Sequence, residues 1–189
     1  MGMNPGSVPP GSSVPAVVGI DGHDGTGKTT IAKNVAARLG FSYRRPFGGE
    51  TGLALSRAAA SGDTDAVLGI GAAALARAMD LAGEMRPVLL DRSWMTVASL
   101  MDDDEFRERW TLWIPTVLCW ADLPTTLARL ALRDEPGESL ALHRHYIDRY
   151  LAIARRAGCT IVDTSNRTED DSTAEVELIV LELLGDADH

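Results

Sequence analysis

The sequence predicts an α/β fold built on a parallel sheet, and three observations carry this prediction. Short, nearly continuous apolar runs alternate along the chain with segments of helical periodicity. Such runs suit strands that are covered on both faces, which is the environment of a parallel sheet. With 189 residues, 45% of them hydrophobic, the chain is long enough for one domain with a substantial core and too short for a second full domain.

Five strands are predicted, four of them nearly continuous in apolar residues. The four are AVVGI (16–20), PVLLD (87–91), TVLCWA (116–121) and CTIVD (159–163), and the weaker fifth is FSYRR (41–45). Residues 1–15 are mostly Gly, Pro and Ser, so they bury almost nothing and are predicted to form a disordered tail. A single predicted domain therefore spans residues 16–189.

Five helices are predicted between and after these strands. The first spans residues 28–39, and Gly40 is placed to terminate it. The last spans residues 172–185 and opens with a capping box formed by Ser172 and Glu175. The others are the alanine-rich segment 71–85, a helix that begins after Pro124, and the amphipathic segment 139–158.

Charge and hydropathy exclude several classes of function. The net charge of −9 and the pI of about 4.8 argue against nucleic-acid binding through the general field of the protein. No apolar run approaches the ~20 residues that span a bilayer, and no signal-peptide pattern is present, so we expect a cytoplasmic protein without a membrane partner. Cys119 and Cys159 each lie in an apolar run, which predicts buried free thiols.

A glycine-rich loop, GIDGHDGTGKTT (19–30), follows the first predicted strand and opens the first predicted helix. Its sequence fits the phosphate-binding pattern G-x-x-x-x-G-K-[ST]. Glycines let backbone N–H groups surround phosphate oxygens, and the helix N-terminus directs its positive dipole at the same anion. The residues expected to bind the phosphates of ATP are Gly22, Gly25, Thr26, Gly27, Lys28, Thr29 and Thr30.

The side chains of this loop and of the third strand predict a magnesium-dependent phosphoryl-transfer site. Lys28 is expected to neutralise the β- and γ-phosphates, and the Thr29 hydroxyl to bind Mg²⁺. The segment VLLDRS places Asp91 and Arg92 at the carboxyl end of an apolar strand, the edge where ligands bind. Asp91 is expected to hold Mg²⁺ through water, and Arg92 to reach a phosphoryl group.

A pair of arginines follows the fourth strand, in LARLALRDEP (127–136). Arg129 and Arg133 are four residues apart and share one helix face. The pair either clamps the ATP phosphates or covers adenine, or it forms a solvated basic face, and the spacing alone leaves both interpretations open.

These motifs, in this order, resemble the thymidylate kinase-like group of P-loop nucleoside monophosphate kinases. The loop resembles that group's E-G-x-D-G-x-G-K-[ST]-T, and RRPFGGETG (44–52) resembles its R-E-P-G-G-T segment. The triplet DRS (91–93) is similar to its D-R-[YH], and residues 121–134 are similar to its strand and arginine-bearing lid entry. Residues 143–165 resemble its following helix and final strand.

The resemblance implies a three-layer P-loop kinase fold with a parallel sheet of order 2-3-1-4-5 and a short lid. It also implies in-line transfer of the γ-phosphoryl group, with Mg²⁺ as cofactor. The charge for catalysis would come from Lys28, Arg92, Arg129 and Arg133. The acceptor would be bound by Asp24, Arg44, Arg45, Arg77 and Arg92, and by Trp94 where the family recognises its base.

Three hypotheses for the function stay open at this stage. The first is ATP-dependent phosphoryl transfer to a nucleoside monophosphate or a closely related nucleotide. The second is a kinase for a nucleoside or another small metabolite, because DRS is also similar to the E-R-S of deoxynucleoside kinases. The third is a nucleotide-dependent switch without turnover. The expected partners are ATP and a small acceptor. The last helix, apolar nearly all round, is either buried or part of the face of a homodimer.

Overall fold

The computed structural model of the protein describes residues 16–80, 86–132 and 138–185. The strands are β1 (Val17–Asp21), β2 (Ser42–Arg44), β3 (Val88–Asp91), β4 (Thr116–Trp120) and β5 (Ile161–Asp163). The helices are α1 (Lys28–Leu39), α2 (Gly49–Ala60), α3 (Thr64–Asp80), α4 (Trp94–Ala98), α5 (Asp103–Arg109), α6 (Leu123–Leu130), α7 (Leu140–Ala157) and α8 (Glu169–Gly185).

The five strands form one parallel sheet in the order β2-β3-β1-β4-β5, as predicted. The central strands are short and rich in β-branched residues or leucine. They are buried because helices cover both faces of the sheet. All five carboxyl ends therefore meet at one edge, and the α/β fold class is confirmed.

Two apolar clusters, one on each face of the sheet, join the sheet to a layer of helices on either side. On one face, α1 and α8 pack against the sheet through residues such as Val35 and Val180, which meet Val18 and Val117. On the other face, α3, α4 and α7 pack around Leu90 and Leu118 through the residues Leu75, Met95 and Ile153. Helix α4 thus has a wholly buried position between the sheet and α7.

Several helices differ from the sequence-based prediction. Helices α2, α4 and α5 have no counterpart among the five predicted helices, and α3 begins at Thr64 instead of residue 71. The segment that forms α2 has two glycines near its start, Gly49 and Gly52, which weaken its intrinsic helix propensity. Burial of Leu55 and Ala58 against α3 stabilises the helix instead, so tertiary packing outweighs local propensity here.

The predicted capping box at Ser172 is wrong, because α8 begins three residues earlier, at Glu169. The Thr168 hydroxyl accepts the backbone N–H of Asp171 at 3.1 Å and donates to the Asp171 carboxylate at 2.7 Å. Ser172 lies inside the first turn, where its hydroxyl donates to the carbonyl of Thr168 at 3.0 Å. The same chemistry therefore caps the helix from a different residue.

Several predicted features lie outside the described residues. These are the tail 1–15, the last five residues of the predicted helix 71–85, and most of the lid at 133–137. Within the described ranges, no helix is long and apolar enough to cross a membrane. Helix α8 leaves Leu178 and Leu181 exposed, and the homodimer stays a prediction.

Candidate active site

The phosphate-binding loop lies at the edge of the sheet where the carboxyl ends of the strands meet. It connects the central strand β1 to α1, with β3 on one side and β4 on the other. The register pairs Ile20 with Asp91, so β3 ends beside the start of the loop. Open α/β sheets bind their ligands at this edge.

Two glycines of the loop have backbones that only glycine adopts readily. Gly22 has φ 149° and Gly25 has φ 83°. A Cβ on Gly22 would lie 2.2 Å from the carbonyl oxygen of Cys119, and one on Gly25 would lie 2.9 Å from that of Thr126. The loop therefore packs its backbone directly on the end of β4 and on α6, which fixes its shape before any phosphate binds.

Lys28 is the first residue of α1 and is almost completely buried. Its ammonium donates to Asp24 Oδ1 at 3.2 Å and to the carbonyl of His23 at 3.3 Å. Burial first, and the charge of Arg92 second, lower the pKa of Lys28 to about 8, although Asp24 opposes the shift. The group is therefore predominantly charged at neutral pH, yet it is poorly hydrated and disposed to bind an anion.

Arg92 reaches over to the loop and binds Asp24. Its Nη2 donates to Asp24 Oδ1 at 2.5 Å, on the same oxygen that binds Lys28. Burial alone would raise the pKa of Asp24, but the positive charges of Lys28 and Arg92 outweigh it and hold the pKa well below its usual range. Arg92 is also the one described non-glycine residue with positive φ, at 79°. Strain of this kind is concentrated at functional sites.

A buried hydrogen-bond network orients Arg92. The carboxylate of Asp21 accepts the N–H of Ser93 at 2.7 Å, its hydroxyl at 2.8 Å, and the hydroxyl of Thr96 at 2.7 Å. The Thr96 and Tyr150 hydroxyls are 3.1 Å apart, and Arg92 Nη1 donates to Tyr150 at 3.3 Å. The network therefore connects β1, α4 and α7 behind the guanidinium.

Asp91 has the geometry expected of a carboxylate that holds hydrated Mg²⁺. Its Oδ2 accepts the hydroxyl of Tyr43 at 2.8 Å, whereas Oδ1 is buried and has no hydrogen-bond partner in the described part of the chain. Thr29 is half-buried in the first turn of α1. The described residues include no group of three or more His, Cys, Asp or Glu that could hold a metal by itself. The fit with Mg²⁺ rests on the unpartnered oxygen of Asp91, because this ion usually keeps several waters and binds one or two carboxylates plus substrate phosphates.

One cavity of about 360 Å³ opens on the outer side of the loop. Its lining includes the loop residues Gly25 and Gly27 together with Arg129 and Thr164. Arg129 donates to the carbonyl of Gly25 at 3.2 Å, to the Thr164 hydroxyl at 3.0 Å and to the Thr164 carbonyl at 2.7 Å. Arg129 thus joins the loop to the end of β5 and forms a wall of this cavity. Arg133, its predicted partner, lies outside the described residues.

A second cavity, of about 350 Å³, opens on the other side of the loop. It lies between α2, α4 and α7. Its polar lining comes from the loop, from the segment after β2 and from α7, and its apolar lining from α2 and its approach. The lining residues used below are His23, Asp24, Arg45, Phe47, Leu55, Arg92, Thr96, Glu138, Tyr146 and Tyr150.

Three of the expected acceptor-binding residues do not line this second cavity. Trp94 is 3% exposed, donates its ring N–H to the carbonyl of Ile114 at 2.9 Å and stacks on Phe106, so it belongs to the core. Arg77 is exposed on α3, away from the lining. Arg44 points its guanidinium at the carbonyl of Tyr43, 3.0 Å away. Adjacent residues of a strand or a helix point in different directions, and this decides where Arg44 on β2 and Trp94 on α4 point.

The aromatic residues of α7 and the histidine of the loop form a part of the site that the motif did not predict. Tyr146 and Tyr150 are one turn apart and face the second cavity, where His23 stacks on Tyr146. The amphipathic pattern of segment 139–158 predicted a helix with an inward face, but it did not distinguish a cavity wall from the core. His143, on the same helix, binds His23.

The sequence matches no protein-family model and no curated protein. Among solved structures, the chain is similar to a deoxyadenosine kinase from M. mycoides, determined with the products dCMP and a flexible dCDP bound. The TM-score is 0.58 at 11% sequence identity, and the match covers 88% of this chain and 99% of that one. The chain therefore has the fold of the P-loop kinases.

Proposed function

We propose that the protein is a kinase that transfers the γ-phosphoryl group of MgATP to a nucleoside monophosphate or a nucleoside. The observation that carries this proposal is the Asp24–Arg92 pair, which lies beside Lys28 and also lines the second cavity. The loop thus has one cavity on each side, and its Asp24 lines the second. A nucleotide-dependent switch needs only the donor side.

The donor would occupy the loop and the first cavity. The backbone amides at the start of α1 and the ammonium of Lys28 would bind the phosphates. Adenine would enter the cavity beside Arg129 and Thr164, where a guanidinium and a hydroxyl form part of the wall. Because Arg129 is already bound to loop and β5 carbonyls, its role would be to hold the donor cavity together more than to move toward the phosphates.

The transfer step needs positioning and positive charge more than a covalent nucleophile. Lys28 and Arg92 would stabilise the charge that develops on the transferred phosphoryl oxygens. Bound Mg²⁺ would supply Lewis-acid charge on the β- and γ-phosphates. Asp91 would hold it through water on its unpartnered Oδ1, and Thr29 would contribute its hydroxyl.

The charges of the second cavity favour a nucleoside as the second candidate acceptor. Among the described lining residues, Arg45 and Arg92 are balanced by Asp24 and Glu138. A monophosphate would bring a charge of about −1.5 to −2 into this balanced site, whereas a nucleoside would bring none. With a hydroxyl acceptor, the ionised Asp24 would orient the attacking O–H group, for which its position between Lys28 and Arg92 is suited. The resemblance of the motifs to thymidylate kinases favours the monophosphate.

An ADP-release assay with MgATP against the common nucleosides and their monophosphates tests the proposal. We expect one class of acceptor to raise ADP release above the ATPase background, and the Lys28→Met variant to abolish the increase. A protein that binds ATP but releases ADP at the same rate with every acceptor would overturn it.

A further inference from the structure

Two buried histidines join the phosphate-binding loop to α7. His23 occupies a loop position that the phosphate-binding pattern leaves free, and His143 lies 120 residues away on the inner face of α7. The distance between His23 Nε2 and His143 Nδ1 is 2.9 Å, and the residues are 6% and 5% exposed. The rings therefore share a hydrogen bond that is shielded from water.

The ring of His23 is uncharged at neutral pH, which makes its contact with His143 directional. Burial lowers the pKa of His23 to about 4; Asp24 opposes the shift, and His143, Lys28 and Arg92 add to it. A neutral imidazole has one donor and one acceptor nitrogen, so the contact is a specific hydrogen bond between one N–H and one lone pair. Loss of either ring would leave a buried polar nitrogen without a partner, which is costly.

His23 is attached to three functional parts of the site. Its carbonyl accepts the Thr26 hydroxyl at 2.9 Å and the Lys28 ammonium at 3.3 Å. Its ring stacks on Tyr146, with centroids 5.7 Å apart and planes inclined by 12°. Both rings line the second cavity. The orientation of His23 therefore fixes the loop backbone and one wall of the acceptor cavity together.

We propose that His143 is a positioning residue for the acceptor, acting through its hydrogen bond to His23. This inference rests on the proposed function, because it assigns His143 to the acceptor half of the kinase site. His143 holds the His23 ring against Tyr146 and so keeps the cavity wall in place beside Asp24. Glu138, which also lines the cavity, lies 3.9 Å from His143 Nδ1 and extends the same contact toward the start of α7.

The geometry distinguishes acceptor positioning from donor binding. The contacts of His143 reach the cavity wall through a side chain, whereas the phosphate-binding amides of the loop belong to residues 25–29 and are held by Arg129 and by packing on α6. Release of the His23 ring would therefore loosen the acceptor wall first. The donor cavity, on the other side of the loop, has no lining residue in common with the acceptor cavity.

The test compares His143→Leu with His143→Asn, whose side-chain amide stands close to the Nδ1 position. We expect His143→Leu to raise the KM for the acceptor about tenfold, the effect of one lost buried hydrogen bond. The KM for ATP and kcat should stay within about twofold of the wild-type values, because the donor side keeps its contacts. His143→Asn should recover most of the acceptor affinity. Arg144→Leu is the matched control, because Arg144 is the exposed neighbour of His143 on the same helix.

Hydrogen exchange of the backbone amides in residues 22–24, around the His23 ring, gives a second measurement that needs no turnover. These amides should exchange faster in His143→Leu than in the wild type and in Arg144→Leu. If the leucine variant does not fold, His143→Ser replaces it in the same comparison. Absence of acceptor-dependent turnover in the wild type counts against the proposed function, and the exchange measurement still decides the coupling. Unchanged loop exchange, or equal rises in both KM values, would overturn the inference.

Discussion

The hydroxyl of Tyr43 donates a hydrogen bond of 2.8 Å to Asp91 Oδ2, while Asp91 Oδ1 is buried with no partner among the described residues. One oxygen of the carboxylate is therefore fixed by the neighbouring strand β2, and the other is left without a partner. In the proposed function Asp91 would hold Mg²⁺, and Tyr43 would then orient this carboxylate from behind, as residues around metal ligands commonly do.

Replacement of Tyr43 by phenylalanine should weaken magnesium binding without removing a ligand. Loss of one hydrogen bond of ~1 kcal/mol predicts a rise of about fivefold in the Mg²⁺ concentration that gives half-maximal turnover. A titration of turnover with MgCl₂ at saturating ATP measures this value. The affinity for ATP without metal is the control and should not change; a shift in that affinity alone would contradict the role of Asp91.

Replacement of Lys28 by methionine should reduce kcat far more than it reduces ATP binding. The buried ammonium supplies charge to the transferred phosphoryl group, and removal of one such donor typically costs ~2.7–4 kcal/mol, or about 10²–10³-fold in kcat. Rapid-quench turnover and equilibrium binding of ATP separate the two effects. Lys33→Met, on the exposed side of the same helix, is the matched control.

The two variants Arg92→Gly and Arg92→Ala separate the backbone of Arg92 from its guanidinium. Both lose the contacts with Asp24 and Tyr150, so both should lose most of the activity. Only glycine relieves the positive φ of 79°, so the glycine variant should be more stable than the alanine variant by ~1 kcal/mol. Urea unfolding measures this difference, and equal stabilities would show that the backbone is not strained.

Replacement of Asp24 by asparagine should mainly harm the use of the acceptor. The substitution leaves the charges of Lys28 and Arg92 without their shared carboxylate, on the wall of the second cavity. We expect the KM for the acceptor to rise about tenfold or more, since hydrogen bonds to charged groups contribute ~1.5–3 kcal/mol, with a smaller change in ATP binding. Steady-state kinetics with each substrate varied in turn test this, and an unchanged acceptor profile would count against it.

The stability of the protein should fall with the protonation of His23 in mild acid. The pKa of His23 is lowered in the fold from 6.5 to about 4, so the unfolded chain binds more protons than the folded one between these values. The free energy of unfolding therefore loses roughly 2–3 kcal/mol as the pH falls from 6.5 toward 4, and is unaffected by this group above 6.5.

Chemical denaturation across this pH range, in the wild type and in His23→Gln, isolates the contribution. The glutamine variant should show a flatter loss of stability, because its amide keeps a donor and an acceptor but does not titrate. The charged and titratable side chains around the histidine pair are Asp24, Lys28, Arg92, Glu138 and Tyr146. The Asp24 carboxylate should add its own loss only at lower pH, since its pKa lies well below the usual range. Parallel pH profiles for both proteins would contradict the assignment.

The features that sequence predicted best are those fixed by local chemistry. The loop and α1 follow from glycine and lysine at set spacings, and the strands follow from buried apolar runs, so the position of Asp91 at the edge of the sheet could be anticipated. The order of the strands came only from the resemblance to the thymidylate kinase-like group. The directions of single side chains, toward the core or toward a cavity, could not be predicted. Trp94 and Thr96 are two residues apart on α4, and only the packing of that helix against the sheet decides that Trp94 enters the core while Thr96 faces the cavity.

Long-range pairings were equally inaccessible. The hydrogen bond between His23 and His143 joins residues 120 positions apart, and neither residue type marks a partner at that distance. Helix α2 was missed because its glycines obscure the helical pattern, although Leu55 lies on the wall of the second cavity. The acceptor half of the site is therefore the half that depends most on tertiary structure.

The burial of every residue of α4 also bears on how the acceptor range of such a protein can change. A substitution in α4 that reshapes the cavity must also be accommodated by the packing of Trp94 on Phe106, on the opposite side of this helix. Helix α2 is less constrained, because several of its residues are exposed and it packs mainly on α3. Laboratory selection for new acceptors should therefore accumulate its substitutions in α2 and leave α4 unaltered.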